Sequence, residues 1–314
     1  MTLSRPSPNR LALVLVTLAG CSSPVVAPPA PTPQETNTRP VPTLTEEDRV
    51  TPSECKQAWV AAVTGRVVDG TGAPIEGASV GYCIFADGLS TCLPDVKTNK
   101  YGWYNKPIDK AFRCVEKMVA RAYSGPTATS NLRLSESYCR PALTPSRGVL
   151  DNVTDDVLYK LAAPTSLPGL DDAKKARTVT FPGNIEVTIT PDSIVESDQY
   201  NYLSAAPLDL ATRPCFVPKD LTLDGLVAFA PNMNVAVFSS NPVKIGFKLG
   251  TTLPEGTAVD LYVLGGVSTQ IDADHAVEEG ELAKFGTGKV TNGAVVPDTG
   301  SELPALTAVG YKRR

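Results

Sequence analysis

One histidine, two tryptophans and three methionines in 314 residues narrow the chemistry from the start. A single His excludes zinc sites built on two or three imidazoles, HExxH proteases and His-rich metal tracts. Neither a Walker A loop nor a G-x-S-x-G elbow occurs, so the usual phosphate cradle and the hydrolase nucleophile turn are both missing. No basic block is present. With 29 Lys and Arg against 33 Asp and Glu the net charge is −4, which argues against nucleic acid as a partner. No apolar run reaches the roughly 20 residues that a membrane-crossing helix needs. No two cysteines are spaced CxxC, which sets aside that redox motif and zinc ribbons. What is plentiful is proline (28) and glycine (24), with a hydrophobic share of 42% and a charged share of 20%. Such a chain can bury a core, and its length suggests two domains.

The N-terminus has the form of an export signal. Arg5 and Arg10 supply positive charge, and Leu11 to Ala19 form a short apolar stretch. The stretch is too short to span a bilayer. It runs into Leu18-Ala19-Gly20-Cys21, which resembles a bacterial lipobox. The competing reading is a plain secretory signal that happens to contain a cysteine. The resemblance implies cleavage after residue 20 and lipidation of Cys21, with the membrane as the first partner. Ser22 in place of Asp favours the outer membrane of the cell envelope, with the protein on its periplasmic face or at the cell surface. Removing Arg5 and Arg10 leaves 27 − 33 = −6, so the lipid, not attraction to anionic headgroups, is the expected anchor. Residues 21–54 are expected to carry the lipid and a Pro-rich tether, because seven prolines fall between Pro24 and Pro42 and such a run favours extended chain.

Seven cysteines less Cys21 leave six: Cys55, Cys83, Cys92, Cys114, Cys139 and Cys215. An even number in an exported chain predicts disulfides. Cys83 and Cys92 flank a hairpin-like loop with a Gly turn and are the first expected pair. Cys114 with Cys139, then Cys55 with Cys215, complete the expected framework.

Residues 55–165 read as a β-sandwich. Val63, Gly65 and Val67 alternate with Thr64 and Arg66, and Ala78, Val80 and Tyr82 alternate with Ser79 and Gly81, the period of a half-buried strand. Asp69-Gly70 and Gly72 break the first strand, and Pro74 belongs in the connection. Gly65, Val67, Asp69, Gly72, Pro74, Ile75, Gly77, Ala78 and Val80, followed by Thr98, Asn99, Gly102 and Tyr104, resemble the carboxypeptidase regulatory-like domain. The resemblance implies a transthyretin-like sandwich with no catalytic residue of its own, and no zinc carboxypeptidase domain follows. Strands are also expected at Lys117 to Tyr123 and Asp156 to Leu161. Residues 125–150, with Pro126, Cys139, Pro141 and Pro145, are either a binding element or a disulfide-tied flap.

Pro164 to Leu170 read as a linker, and residues 171–314 as a second β-sandwich. Strands are expected at 178–181, 185–190, 226–229, 235–238, 243–247 and 258–264. Pro242 to Phe247 and Leu253 to Tyr262, with a hairpin over Gly286 to Gly293, resemble β-domains of other bacterial envelope proteins. The fold class is therefore all-β, with two sandwiches after a signal peptide and a tether.

Chemistry-bearing groups are sparse. Asp272, Asp274 and Glu278, with Glu279, Glu281 and His275 nearby, are weak calcium candidates. The EF-hand order fails at Ala276 and Glu279, so a solvated acidic loop is the simpler reading. Ser53-Glu54-Cys55-Lys56 matches S-x-x-K only by letters. Tyr101, Trp103 and Tyr104 offer either a sugar-stacking platform or core, and the family position puts at least one of them in the core. No catalytic residue and no cofactor is expected. The expected function is a non-enzymatic envelope lipoprotein that presents β-modules to a protein or glycan. The alternative is a carbohydrate-binding accessory to a separate enzyme or secretion system.

Overall fold

A computed structural model describes residues 37–86, 88–124, 134–143, 148–151, 155–167, 175–190, 202–234 and 245–314. The signal, Cys21 and the Pro-rich run as far as residue 36 lie outside these, as do the expected strand at 235–238 and Pro126 and Pro145. The fold is all-β: strands account for 51% of the residues, and among the described residues no helix reaches seven residues. Among the described residues no helix is long and apolar enough to cross a membrane.

The first sheet system contains β1 (Ala58–Trp59), β2 (Ala62–Asp69), β3 (Ser79–Ala86), β4 (Leu89–Lys97), β5 (Trp103–Pro107), β6 (Cys114–Val115), β7 (Lys117–Tyr123), β8 (Ser137–Cys139), β9 (Val149–Asp151) and β10 (Asp156–Leu158). One layer has the order β4-β3-β7-β8. The other has β10-β2-β5, with β9 also paired to β2, and β1 pairs with β6. β2 runs parallel to both β9 and β10 and antiparallel to β5. Between the layers lies a core that includes Val63, Val67, Val80, Tyr82, Tyr104, Ile108 and Leu158.

Turn chemistry accounts for the layer edges. The Asp69 carboxylate accepts hydrogen bonds from the Thr71 and Ala73 amides at 2.8 and 3.0 Å. Asn99 Oδ1 accepts from the Tyr101 and Trp103 amides. These are the local side-chain turns that Asp and Asn favour. Gly102, in the same turn, has φ +77°, and a Cβ there would collide with the Val67 carbonyl oxygen. Only glycine meets both conditions.

The second system contains β11 (Thr165–Ser166), β12 (Arg177–Phe181), β13 (Ile185–Ile189), β14 (Tyr202–Pro207), β15 (Gly225–Asn234), β16 (Gly246–Gly250), β17 (Ala258–Leu264), β18 (Leu282–Thr291), β19 (Ala294–Pro297) and β20 (Ala305–Arg313). All ten belong to one sheet ordered β11-β14-β15-β20-β17-β18-β19-β16-β13-β12. The nine strands from β14 round to β12 nearly close on themselves. This half is thus an incomplete barrel made by one continuous sheet. Its interior is filled by residues such as Val187, Phe229, Phe247, Leu261, Val290 and Val309. The hairpin expected over 286–293 is β18–β19, turned by Asn292 and Gly293 at φ 53° and 72°, the pair of positive angles a two-residue type I′ turn needs. Thr165 and Ser166, within the expected linker, pair with β14.

The part of the expected tether that is described, residues 37–54, is fastened to the first sandwich. Pro42 is buried, and the Arg39 guanidinium lies 5.6 Å from the Trp103 ring centroid. Trp59 Nε1 donates to the Asp48 carbonyl at 2.9 Å, and the Asp48 carboxylate is paired with Arg113. Hydrogen bonds from the Thr45 backbone amide and from Arg113 hold the Asp48 carboxyl down at about 2. The Cys55–Cys114 bridge closes this strap covalently.

Candidate functional site

Polar and apolar side chains converge in two places, the seam between the sheet systems and a groove at one end of the barrel. The seam follows from the two-residue period of β7. Met118, Ala120 and Ala122 point into the sandwich core. The intervening Lys117, Val119 and Arg121 therefore face the other way. Val119 joins Tyr138, Tyr159, Phe216, Leu226 and Leu282 in an apolar cluster with contributions from both systems. Arg121 forms a two-pronged ion pair with Glu279, its Nη2 to Oε2 distance being 2.9 Å. Arg140 donates to the Glu279 carbonyl at 2.9 Å and to Glu278 at 3.0 Å, and Lys117 also bonds Glu278. The Lys117 hydrogen bond and the neighbouring cations hold the Glu278 carboxyl below its ordinary range. Burial acts to lower the Arg121 pKa, but the hydrogen bond and charge of Glu279, with smaller contributions from Tyr138 and Asp95, together outweigh it, so the net shift is upward.

Within residues 272–281, Asp272, Asp274, Glu278 and Glu281 are exposed, as a solvated acidic loop would have them, and Glu279 alone of the acidic residues is drawn in against the first sandwich. Glu278, Glu279 and Glu281 are counter-charges for the first sandwich. Asp272 is taken by His275 Nδ1 at 2.7 Å, and its side chain also accepts from the Asp274 amide. The pair shifts Asp272 downward and His275 upward through their shared hydrogen bond. Among the described residues Asp272, Asp274 and Glu278 do not converge on a common point.

The cysteines pair as Cys83–Cys92, Cys55–Cys114 and Cys139–Cys215. The first is the expected pair, set at opposite positions of β3 and β4. The expected Cys114–Cys139 and Cys55–Cys215 bridges do not form. Cys55 reaches Cys114 because the strap folds back onto β6 beside β1. Cys139 is carried on β8, at the sheet edge, and bridges to Cys215 of the second system. Residues 137–139 of the long connection are thus a strand with a covalent tie. Its segments 125–133 and 144–147 lie outside the described residues. Tyr104 is core at 2% exposure. The guanidinium groups of Arg39 and Arg66 each stand 5.6 Å from the Trp103 ring centroid. In the S-x-x-K match, Lys56 Nζ bonds the Ser53 carbonyl and not its hydroxyl.

The groove was not visible in the sequence. It encloses about 560 Å³ at the barrel end where Gly183, Asn184, Asp209, Asp224, Thr252 and Tyr311 come together. Two close approaches shape it. The Tyr311 ring occupies the space a Gly225 side chain would need, and Gly250 packs on the Gly183 carbonyl. Arg313 Nε donates to Asp224 at 2.8 Å, and this bond holds the Asp224 carboxyl below its usual range. Burial pushes the Tyr311 phenol up. Asp209 caps a short turn by accepting from the Ala211 amide at 2.9 Å. Leu208 and Leu226 belong both to the groove wall and to the seam. No Ser, Cys, His or Lys lines the groove, so among the described residues it offers hydrogen-bonding partners and small apolar walls without a nucleophile–base pair. A signal for it existed in Gly225, Gly250 and Gly293, but isolated glycines are indistinguishable from turn residues before the sheet is closed. No family model matches the chain, and no curated protein matches it by sequence.

Proposed function

We propose that the protein is a non-enzymatic lipoprotein of the cell envelope, anchored through Cys21, that holds a rigid two-part β-body away from a membrane and presents it to a protein or glycan. The first sandwich is read as a carboxypeptidase regulatory-like module serving as scaffold. The observation that carries this reading is the seam. An apolar cluster, a partly buried ion pair and a disulfide join the two systems, a degree of fastening suited to a surface held in one shape. Once a partner is present, such preorganisation avoids part of the ordering cost of binding.

The lipobox reading is supported by the order of apolar stretch, small residues, Gly20 and Cys21. It is tested by Cys21→Ser, which is expected to leave the protein unacylated and soluble after a high-salt wash. Continued sedimentation with membranes would overturn it. The groove is the proposed contact point, and a neutral polar ligand such as a glycan suits its mix of carboxylate, amide, hydroxyl and apolar walls. A glycan array and a cross-linking pull-down, each with wild type and Thr252→Arg, separate a glycan from a protein partner. Loss of the bound species with Thr252→Arg is the expected outcome. Binding unchanged by that substitution would place the contact elsewhere.

A further inference from the structure

The three disulfides differ in what surrounds them. Around Cys139–Cys215 stand buried polar side chains. Ser137 Oγ lies 3.2 Å from Cys139 Sγ and 3.4 Å from Cys215 Sγ. An oxygen of Asp156 and both sulfurs all lie within 4.8 Å of one another. Asp156 is 1% exposed, Ser137 3% and Cys139 4%, whereas Cys215 is exposed. Behind Asp156 runs a hydrogen-bonded chain: Tyr104 donates to its Oδ2 at 3.0 Å, and the Tyr82 and Tyr104 hydroxyls are 2.7 Å apart. Among the described residues no other disulfide has a carboxylate so placed against both of its sulfurs.

We propose that Cys139–Cys215 is a site of thiol–disulfide exchange for a protein dithiol, with Cys215 as the sulfur attacked and Asp156 as the proton partner of Cys139. Of the two residues Cys215 is the exposed one and Cys139 the buried one, so the Cys215 side is where an incoming thiolate approaches, and exchange proceeds by attack on a disulfide sulfur through a mixed disulfide. A bond forms between the incoming sulfur and Cys215 while the Cys139–Cys215 bond breaks, and Cys139 leaves with the electron pair. The Ser137 hydroxyl donates to that departing sulfur, and the Asp156 carboxyl supplies its proton. The proton released when the incoming thiol ionised returns to Asp156 through solvent. The partner's second thiol then attacks its own sulfur in the mixed disulfide, and Cys215 leaves and is protonated. In sum the partner's two thiols are oxidised to a disulfide, and Cys139 and Cys215 gain two electrons and two protons. Re-formation of the bridge runs the same steps backwards, with Asp156 taking the proton from Cys139. Opening removes the only covalent tie across the seam among the described residues and leaves its ion pairs in place.

The test is timed alkylation with mass spectrometry on the whole protein exposed to reduced dithiothreitol and, separately, to reduced thioredoxin as a generic protein dithiol. Cys139 and Cys215 should become alkylatable at least ten-fold sooner than Cys55 and Cys114. Asp156→Asn keeps the shape and an acceptor for Tyr104 but cannot exchange the proton, so opening should slow about ten-fold while Cys83–Cys92 opens at its wild-type rate. A purely structural Asp156 predicts the opposite sign, because a loosened site opens faster. Ser137→Ala is the second variant and should slow opening several-fold. Equal or faster opening in both variants, or wild-type opening no faster than that of Cys55–Cys114, would overturn the proposal.

Discussion

Arg121 and Glu279 are 158 positions apart in the chain and meet as a two-pronged ion pair. Glu279 keeps only 8% of its side chain exposed. One residue is the outward-facing member of β7. The other sits in an acidic loop that, by composition alone, belongs in solvent. Their meeting explains why the loop is acidic: three cations of the first sandwich, Lys117, Arg121 and Arg140, face it.

Removing one member of a largely buried pair leaves the other uncompensated, which costs about 3–5 kcal/mol. Glu279→Gln is therefore expected to lower stability by about 3 kcal/mol, with Arg121→Met/Glu279→Leu recovering most of the loss. Chemical denaturation of the three proteins checks it. A double variant no more stable than Glu279→Gln would mean the pair is not what holds the seam.

The Glu278 carboxyl is held below its ordinary range chiefly by Lys117. A carboxylate with a depressed folded pKa contributes stability above its unfolded value of about 4.3, and that contribution is lost as pH falls through the lower folded value. The melting temperature should fall more steeply below about pH 4 in wild type than in Lys117→Gln/Arg140→Gln. Parallel acid profiles would assign the loss to other carboxylates.

Gly102 and Gly72 separate two penalties. Both have positive φ, +77° and +85°, but a Cβ at Gly72 meets nothing within 4 Å, while one at Gly102 runs into the Val67 carbonyl. Gly72→Ala should cost about 1 kcal/mol for the left-handed backbone alone. Gly102→Val should cost about 3 kcal/mol or more, since strain and collision add. Melting curves of the whole protein decide, and equal losses would mean that the turn yields to relieve the clash.

All six cysteines after Cys21 should be oxidised in the exported protein, so the denatured, unreduced Cys21→Ser variant should present no free thiol. The Cys55–Cys114 bridge spans 59 positions, a closure that contributes about 4 kcal/mol in the chain-entropy model. Cys55→Ser/Cys114→Ser should also free the strap, giving new protease cleavage between residues 43 and 57. A digest identical to wild type would show that Trp59, Asp48 and Arg113 hold the strap unaided.

The sequence disclosed the elements better than their partners. Lys117 to Tyr123 is a strand with the expected bounds, and the break at Asp69-Gly70 was legible because Asp and Gly act within a few residues of themselves. β20 escaped notice. Ala305 to Tyr311 is buried on both faces, between the barrel interior and the seam, so it shows no two-residue alternation to read. The disulfide partners of Cys55 and Cys139 escaped for a different reason. Each depends on where a segment folds back, the strap in one case and the second sheet in the other, and spacing along the chain carries no record of that. The groove depends on sheet closure and was invisible for the same reason.

A pull on the N-terminus gives the strap one more meaning. Tension arriving at Cys55 would cross directly to Cys114, and tension reaching Cys139 would cross to Cys215. The two loops so bypassed, separated by 59 and 76 positions, contribute no slack however hard the chain is drawn. A stretched molecule with both bridges closed would lengthen by less than its residue count allows, and reducing Cys139–Cys215 would release the larger of the two hidden lengths in one step.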